Sequence, residues 1–152
     1  AEFKFVGSVA RKILNKTLSG TYENDRVTSI GDYALGYNTG LVSVKFPNVT
    51  NVKTYAFTNC TALAKVDLSK ATSIGNYAFM SCGKMETLIL RSEEMCSLAA
   101  YTAIDEASPI RQGTGYIYVP SALIDTYKAD SVWSSKFVNQ FRTIEDYPDI
   151  CG

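Results

Sequence analysis

Apolar and polar positions recur at a fixed spacing between residues 27 and 91, where one pattern occurs three times. The copies begin VTSIGDYALGYNTG, VTNVKTYAFTNC and ATSIGNYAFMSC, and corresponding residues such as Ala34, Ala56 and Ala78 lie 22 positions apart. A fixed period of about 20 to 50 residues is typical of a solenoid, in which each repeat packs against its neighbours. The pattern therefore predicts a stacked repeat architecture, and it names no ligand.

Each copy contains an apolar triad with the spacing L-x-x-L-x-L. The triads are Leu41/Val44/Phe46, Leu63/Val66/Leu68 and Met85/Leu88/Leu90. The last two members of each triad alternate with one outward residue, which is the period of a strand. Stacking these short strands about 4.8 Å apart predicts a parallel ladder whose inner side forms one continuous core.

The other half of each copy predicts the return side of the coil, made of irregular turns. Its apolar and aromatic columns are Ile30/Val52/Ile74, Tyr33/Tyr55/Tyr77, Ala34/Ala56/Ala78 and Leu35/Phe57/Phe79. Gly31 and Gly75 occupy equivalent turn positions, but Lys53 stands between them. Because Lys resists positive φ, we expect that this turn does not require it.

After Leu90 the period breaks, and residues 91–115 are irregular. The run Tyr116-Ile117-Tyr118-Val119-Pro120 then repeats the shape of Ser43-Val44-Lys45-Phe46-Pro47. Ile117 follows Leu88 by 29 positions, one period plus an insertion of seven residues. The sequence therefore predicts a fourth strand here.

Helical caps are expected at both ends of the ladder. Ser8 is a candidate N-cap for a short amphipathic helix through Leu14, and residues 16–22 are strand-like. Ser121 is a candidate N-cap for a second helix through Lys128. The apolar group that follows, around Trp133, is interpreted as a cap over the last repeat. The alternative is a functional aromatic site. Residues 142–145 are interpreted as a last strand.

The columns resemble the BspA-type leucine-rich repeats of bacterial surface proteins. The resemblance rests on the motif I-G-x-Y-A-F-x-x-C-x-x-L-x-x-V-x-L, which begins at Ile74 in the third copy, and it covers residues 27–120. It implies an α/β repeat fold, a short leucine-rich-repeat solenoid of 22-residue repeats with a parallel strand ladder and helical N- and C-terminal caps. The commoner leucine-rich consensus places Asn or Cys three residues after the triad, whereas this chain has Val49, Ala71 and Glu93.

The predicted organisation is a single domain. Its parts are an N-terminal cap (1–26), three repeats (27–91), an irregular fourth repeat (92–120) and a C-terminal cap (121–152). The start of the chain lacks the layout of a signal peptide, and so short an array favours a fragment of a longer protein.

Composition excludes several partners. Fifteen basic and fifteen acidic residues balance, so the basic footprint that nucleic acid requires is missing, and no apolar stretch is long enough to insert into a membrane. The four cysteines lack the C-x-x-C spacing of zinc or redox sites. Cys60 and Cys82 are equivalent positions and are expected to be buried free thiols. A bridge between Cys96 and Cys151 remains open.

No residue pattern indicates catalysis, a cofactor or a metal. The chain has no histidine, which removes Ser-His-Asp and Cys-His systems and the commonest zinc ligand. The pairs Glu93-Glu94 and Asp105-Glu106 are better interpreted as solvated loop residues. An enzyme would need an unexpected convergence, such as Glu86 or Asp67 meeting Asp105.

The candidate partner-binding face is the outer side of the ladder. Its first column is Ser43, Lys65, Thr87 and Tyr116, and its second column is Lys45, Asp67, Ile89 and Tyr118. Tyrosine is a favoured anchor at protein interfaces, although Tyr and Ile are also ordinary strand formers. The leading interpretation, by resemblance, is a non-catalytic module of a surface or secreted protein that binds a protein or glycan in adhesion or host recognition. A structural spacer and a receptor-binding part of a phage tail are the alternatives.

Overall fold

The chain forms a flattened coil with one parallel ladder of strands on each side. The computed structural model describes the backbone of residues 3–6, 9–12 and 18–152, and the side chains of residues 18–152. The front sheet comprises β3 (Ser19–Glu23), β5 (Gly40–Phe46), β7 (Lys65–Leu68), β9 (Thr87–Leu90), β11 (Tyr116–Val119) and β12 (Phe141–Thr143). The back sheet comprises β1 (Phe3–Val6), β2 (Val9–Lys12), β4 (Ser29–Ile30), β6 (Asn51–Val52), β8 (Ser73–Ile74) and β10 (Ser97–Leu98).

The front sheet has the register that the repeat period predicts. Val44 pairs with Val66, and Val66 pairs with Leu88, each 22 residues further along the chain. Leu88 pairs in turn with Ile117, so the fourth strand is confirmed in the predicted register despite the longer connection. The leucine-rich-repeat solenoid predicted from the sequence is confirmed.

The return side is more regular than predicted. The sequence suggested irregular turns, but Ile30, Val52 and Ile74 lie in two-residue strands that pair in parallel, and Leu98 continues the column. Two residues per repeat are too few to show the alternation that identifies a strand in a sequence. In the sequence, the back sheet is therefore indicated only by a column of apolar residues.

The turns after the back strands obtain their shape from tyrosine, not from glycine. Tyr33, Tyr55 and Tyr77 have φ of 59°, 59° and 57°, and their rings stack with centroids 4.8 and 5.2 Å apart. Gly75 is not among the residues with positive φ, so the inference from Lys53 is confirmed. A Cβ at Gly75 would lie 2.7 Å from the backbone nitrogen of Thr54, so it is close approach that requires glycine there.

The core runs without a break between the two sheets. Phe57 stacks on Phe79 with ring centroids 5.1 Å apart, and Cys60 and Cys82 are fully buried thiols outside any disulfide, as predicted. Each thiol donates to a carbonyl oxygen of the preceding coil at 3.1 Å. The hydrogen bond with the Cys60 side chain, together with burial, raises the pKa of Cys82. Cys96 and Cys151 are also free, so the bridge between them is not formed.

The N-terminal end differs from the prediction. Val9–Lys12 forms β2, which pairs in parallel with β4 and in antiparallel with β1, where a helix beginning after Ser8 was expected. The open edge of a strand ladder has unpaired backbone N–H and C=O groups. Pairing these groups favours a strand here more strongly than the local apolar spacing favours a helix. Ser8, Ile13 and Leu14, on which the helix prediction also rested, lie outside the described residues.

The C-terminal end carries the helices. They are α1 (Pro109–Gln112), α2 (Ile124–Ala129), α3 (Ser131–Phe137) and α4 (Pro148–Cys151), with 3₁₀ turns at Tyr101–Ala103, Ser121–Leu123 and Ile144–Asp146. Trp133 is fully buried, and its indole donates to the Cys96 carbonyl at 2.7 Å, so it packs in the cap as interpreted. The Ser121 side chain makes no N-cap bond and instead donates to Glu145 at 3.1 Å. None of the helices found in the described ranges has the length and apolar character needed to cross a bilayer.

Candidate binding face

The two predicted columns lie side by side on the outer face of the front sheet. The strand register aligns Ser43, Lys65, Thr87 and Tyr116 in one column and Lys45, Asp67, Ile89 and Tyr118 in the other. On each strand the column residues point outward because the residues that alternate with them are buried in the core. The geometry of the face thus follows from the 22-residue period.

The two columns differ in accessibility. All four residues of the first column are half-buried. In the second column Lys45 is exposed, whereas Asp67, Ile89 and Tyr118 are only 5%, 0% and 3% exposed. The prediction that these side chains point away from the core holds, but three of them do not meet solvent.

These three side chains are covered by the last residues of the described chain. After β12, residues 147–152, called here the C-terminal segment, pass over the front sheet and include α4. Cys151, which is 4% exposed, forms a small apolar cluster with Ile89 and Tyr118, with Ile144 and Ile150 packed at its margin. Burial raises the pKa of the Cys151 thiol, and burial likewise raises the pKa of Tyr118.

Two cations fix the C-terminal segment through its backbone. Lys65 Nζ donates to the carbonyl oxygen of Ile150 at 2.7 Å. Arg91 donates to the carbonyl oxygen of Cys151 and also binds both oxygens of Asp67, at 2.9 Å each. The hydrogen bond that Asp67 accepts from Arg91 raises the pKa of Arg91.

Arg91 is the residue of this face that the sequence reasoning missed. It continues the outward alternation of Thr87 and Ile89, but it lies one residue beyond the end of β9 and so beyond the two columns that were considered. The available signal was that a buried outward aspartate needs a cation nearby, but this requires knowing that Asp67 is buried.

A groove remains open beside the C-terminal segment. Thr21, Glu23, Ser43, Lys45 and Lys65 line it on the side of the sheet, and residues 149–152 line it on the other. Its volume is about 260 Å³, and its charges are mixed. The groove is the part of the predicted face that a partner reaches without moving the chain.

The margin of the face near β11 is aromatic. The Arg142 guanidinium lies 4.4 Å from the centre of the Tyr116 ring, a cation–π distance. Tyr118 contacts Tyr116 and Tyr147 edge to face, with ring centroids 6.5 and 5.4 Å apart. These contacts fix the tyrosines that the sequence suggested as anchors.

A second depression, which the sequence did not indicate, lies beyond the carboxyl ends of β9, β11 and β12. It has a volume of about 370 Å³ and an apolar lining of Pro120, Ala122, Leu123 and Ile144, with Arg91, Glu93 and Glu145 also on its walls. It adjoins the C-terminal segment through Ile144 and Arg91.

The carboxylates named for a conceivable enzyme have other partners. Asp67 is paired with Arg91, and Asp105 accepts hydrogen bonds from the backbone amides of Ser81 and Ala107 at 2.9 and 3.0 Å. Glu86 is exposed. Among residues 18–152, no group of three or more Cys, Asp or Glu side chains is placed to hold a metal ion.

Comparison with known families agrees with this architecture. The model described as "BspA type Leucine rich repeat region (6 copies)" matches residues 15–103, more than half of the chain. The chain belongs to this family. The match begins upstream of the first copy recognised in the sequence, in agreement with the parallel pairing of β3 with β5.

A solved structure supports the fold. The leucine rich cell surface protein of Faecalibacterium prausnitzii A2-165 superposes with a TM-score of 0.62 at 18% identity, over 89% of this chain. This chain spans 34% of that protein, about a third of its length. No curated protein matches the sequence.

Proposed function

We propose that this chain is a non-catalytic binding module of a bacterial surface or secreted protein, and that it recognises a host protein or glycan in adhesion. The observation that carries the proposal is the accessible part of the outer face, the first column together with Lys45, held on strands that are paired on both sides from β5 to β11. A rigid array of side chains loses little entropy on binding.

Family and fold support the surface location. BspA-type leucine-rich repeats occur in bacterial surface proteins, and the superposable protein of F. prausnitzii is a leucine rich cell surface protein. The balanced charge of the chain fits a protein or glycan partner better than a polyanion.

The open groove is the part of the face to test first. Lys45 and Ser43 lie on its wall and take no part in the core, so we expect both to tolerate substitution. Tyr118 does not serve this purpose, because its buried ring supports the C-terminal segment and its loss would change the face itself.

The test is binding of the chain to immobilised extracellular-matrix proteins and glycans. We expect saturable binding to at least one of them, weakened about tenfold or more by the Ser43→Glu/Lys45→Glu double variant, as loss of one or two interface contacts predicts. Lys53→Glu/Thr54→Glu, which makes the same change in net charge at two exposed residues after β6, is the matched control and should bind like the parent chain. Equal binding by all three proteins would remove the groove from the proposal, and absence of binding would favour the structural spacer.

A further inference from the structure

The C-terminal segment lies on the front sheet in the manner of a bound peptide. The side chain of Cys151 lies in an apolar site formed by Ile89 and Tyr118, and Lys65 and Arg91 bind two of the segment's backbone carbonyls. Tyr147 and Ile150 add contacts at the margin of that site. Peptide-binding sites commonly combine these elements, with main-chain hydrogen bonds for affinity and a side-chain pocket for selection.

The hydrogen bonds to the segment do not depend on its side chains. The carbonyl oxygens of Ile150 and Cys151 are groups that every peptide carries at consecutive positions. A cation that binds a carbonyl therefore accepts any segment that follows the same path. Selection is left to the small apolar site and to the charges of the groove.

The receiving side is built without help from the segment. The oxygens of Asp67 accept from Nε and Nη2 of Arg91 at 2.9 Å each, so the second N–H of Nη2 is directed over the face. Lys65 and Asp67 lie on β7, which is paired on both sides. Such preorganisation lowers the cost of binding.

The side chains of the segment itself are mostly not buried. Cys151 is the one buried residue between 145 and 152, and the cluster that contains it is separate from the main core. The helix α4 has four residues, too few to persist without the sheet beneath it. The segment thus depends on the solenoid, while the core of the solenoid is complete without the segment.

We propose that this part of the front sheet is a peptide-docking site, and that residues 147–152 occupy it as an internal ligand that a partner's peptide segment displaces. The inference rests on the proposed function, in which the same face meets the partner. The segment indicates the chemistry of the incoming peptide: a small apolar residue in the place of Cys151 and an acidic residue two positions earlier. Asp149 has that earlier position and lines the groove with Lys45 and Lys65.

Detachment of the segment can be measured in the full chain by alkylation with iodoacetamide. Cys60, Cys82 and Cys96 are fully buried in the main core, whereas Cys151 is covered by the segment's own docking. We expect Cys151 to be alkylated at least a hundredfold faster than the three core thiols under native conditions, with the sites identified by mass spectrometry of peptides. Alkylation of all four at one common rate would show that the segment leaves only on global unfolding, and would overturn the proposal.

Matched lysine variants test the named contact. Lys65→Met keeps the length of the side chain and removes the bond to the Ile150 carbonyl, so Cys151 should be alkylated about tenfold faster, as expected for one charge-assisted hydrogen bond. Lys53→Met, on the opposite side of the molecule, should leave the rate unchanged. Equal rates in both variants would remove Lys65 from the docking site.

Displacement is tested with a synthetic peptide, Tyr-Pro-Asp-Ile-Ala-Gly, which copies residues 147–152 with Ala in place of the reactive cysteine. If the peptide occupies the face while the segment is detached, the alkylation rate of Cys151 rises in proportion to peptide concentration. A scrambled peptide should have no effect. A rate independent of the peptide up to several millimolar would overturn displacement, whatever the adhesion panel shows. A peptide effect without binding on that panel would keep the docking site and refute adhesion.

Discussion

At the scale of single residues, buried thiols make the fold sensitive to alkaline pH. Burial raises the pKa of Cys96 to about 12 from an ordinary 9.0. A folded pKa above the unfolded one means that the contribution to stability is complete below pH 9 and is lost as the pH rises toward 12. At pH 10.5 the unfolded thiol is mostly ionised, so about 2 kcal/mol of the unfolding free energy should be lost through this residue.

Urea unfolding at pH 7.5 and pH 10.5 checks this expectation. Cys96→Ala should lose clearly less stability between the two pH values than the parent chain does. Ser97→Ala, a neighbouring exposed position, is the control and should keep the parent's pH dependence. The same loss in all three proteins would place the alkaline sensitivity elsewhere.

Gly75 tests whether close approach, and not backbone conformation, requires glycine in the third repeat. Gly75→Ala places a Cβ 2.7 Å from the Thr54 backbone nitrogen, so adjacent coils must separate. We expect a loss of about 1–3 kcal/mol in unfolding free energy, typical of overpacking. Gly83→Ala is the matched control, because its Cβ would meet Ala107 at an ordinary 3.6 Å. Equal stabilities in the two variants would contradict this account of the turn.

At the scale of elements, α2 and α3 of the C-terminal cap each make a hydrogen bond to the backbone of one ladder residue, Cys96. The hydroxyl of Tyr127 accepts from the amide of Cys96 at 2.7 Å, and the indole of Trp133 donates to the carbonyl of the same residue. Tyr127→Phe leaves that buried amide without an acceptor, and we expect a cost of about 1–3 kcal/mol in the unfolding free energy, measured in urea. Tyr33→Phe, on a ring that is 46% exposed, should be neutral. A neutral Tyr127→Phe would mean that this hydrogen bond adds nothing to the other contacts that hold the cap.

The elements also show how much of the fold could be predicted from the sequence. Strand order and register on the front sheet could be predicted, because three copies fix the spacing and Val44, Val66 and Leu88 must share one core. β2 was missed because pairing along a ladder edge leaves no periodic signal in the strand that joins it. The cover over Ile89 and Tyr118 was missed for a related reason. Alternation distinguishes the two sides of a strand, but it does not tell whether a later segment lies on the outer side.

At the scale of the whole molecule, stability is shared along the stack. Phe57 lies at the centre, with its ring 5.1 Å from that of Phe79 and 6.4 Å from that of Phe46, so three consecutive coils contact each other through it. Each repeat of a solenoid is stabilised mainly by its neighbours, and short arrays unfold as one unit when this coupling is strong. The continuous core predicts strong coupling here.

Hydrogen exchange of Phe57→Ala measures that coupling. Removal of a buried phenyl ring should cost about 3–5 kcal/mol, and with one cooperative unit the amides of β5, β7 and β9 should all lose protection by that amount. The amides of residues 151 and 152, which bond only to Tyr147 and Pro148 within the C-terminal segment, should exchange faster than these strands in the parent chain and be unaffected by the substitution. Loss of protection confined to β7 would mean that single repeats open on their own. An equal loss at residues 151 and 152 would mean that the segment opens only with the whole solenoid, and that the front sheet is never free to exchange one peptide for another.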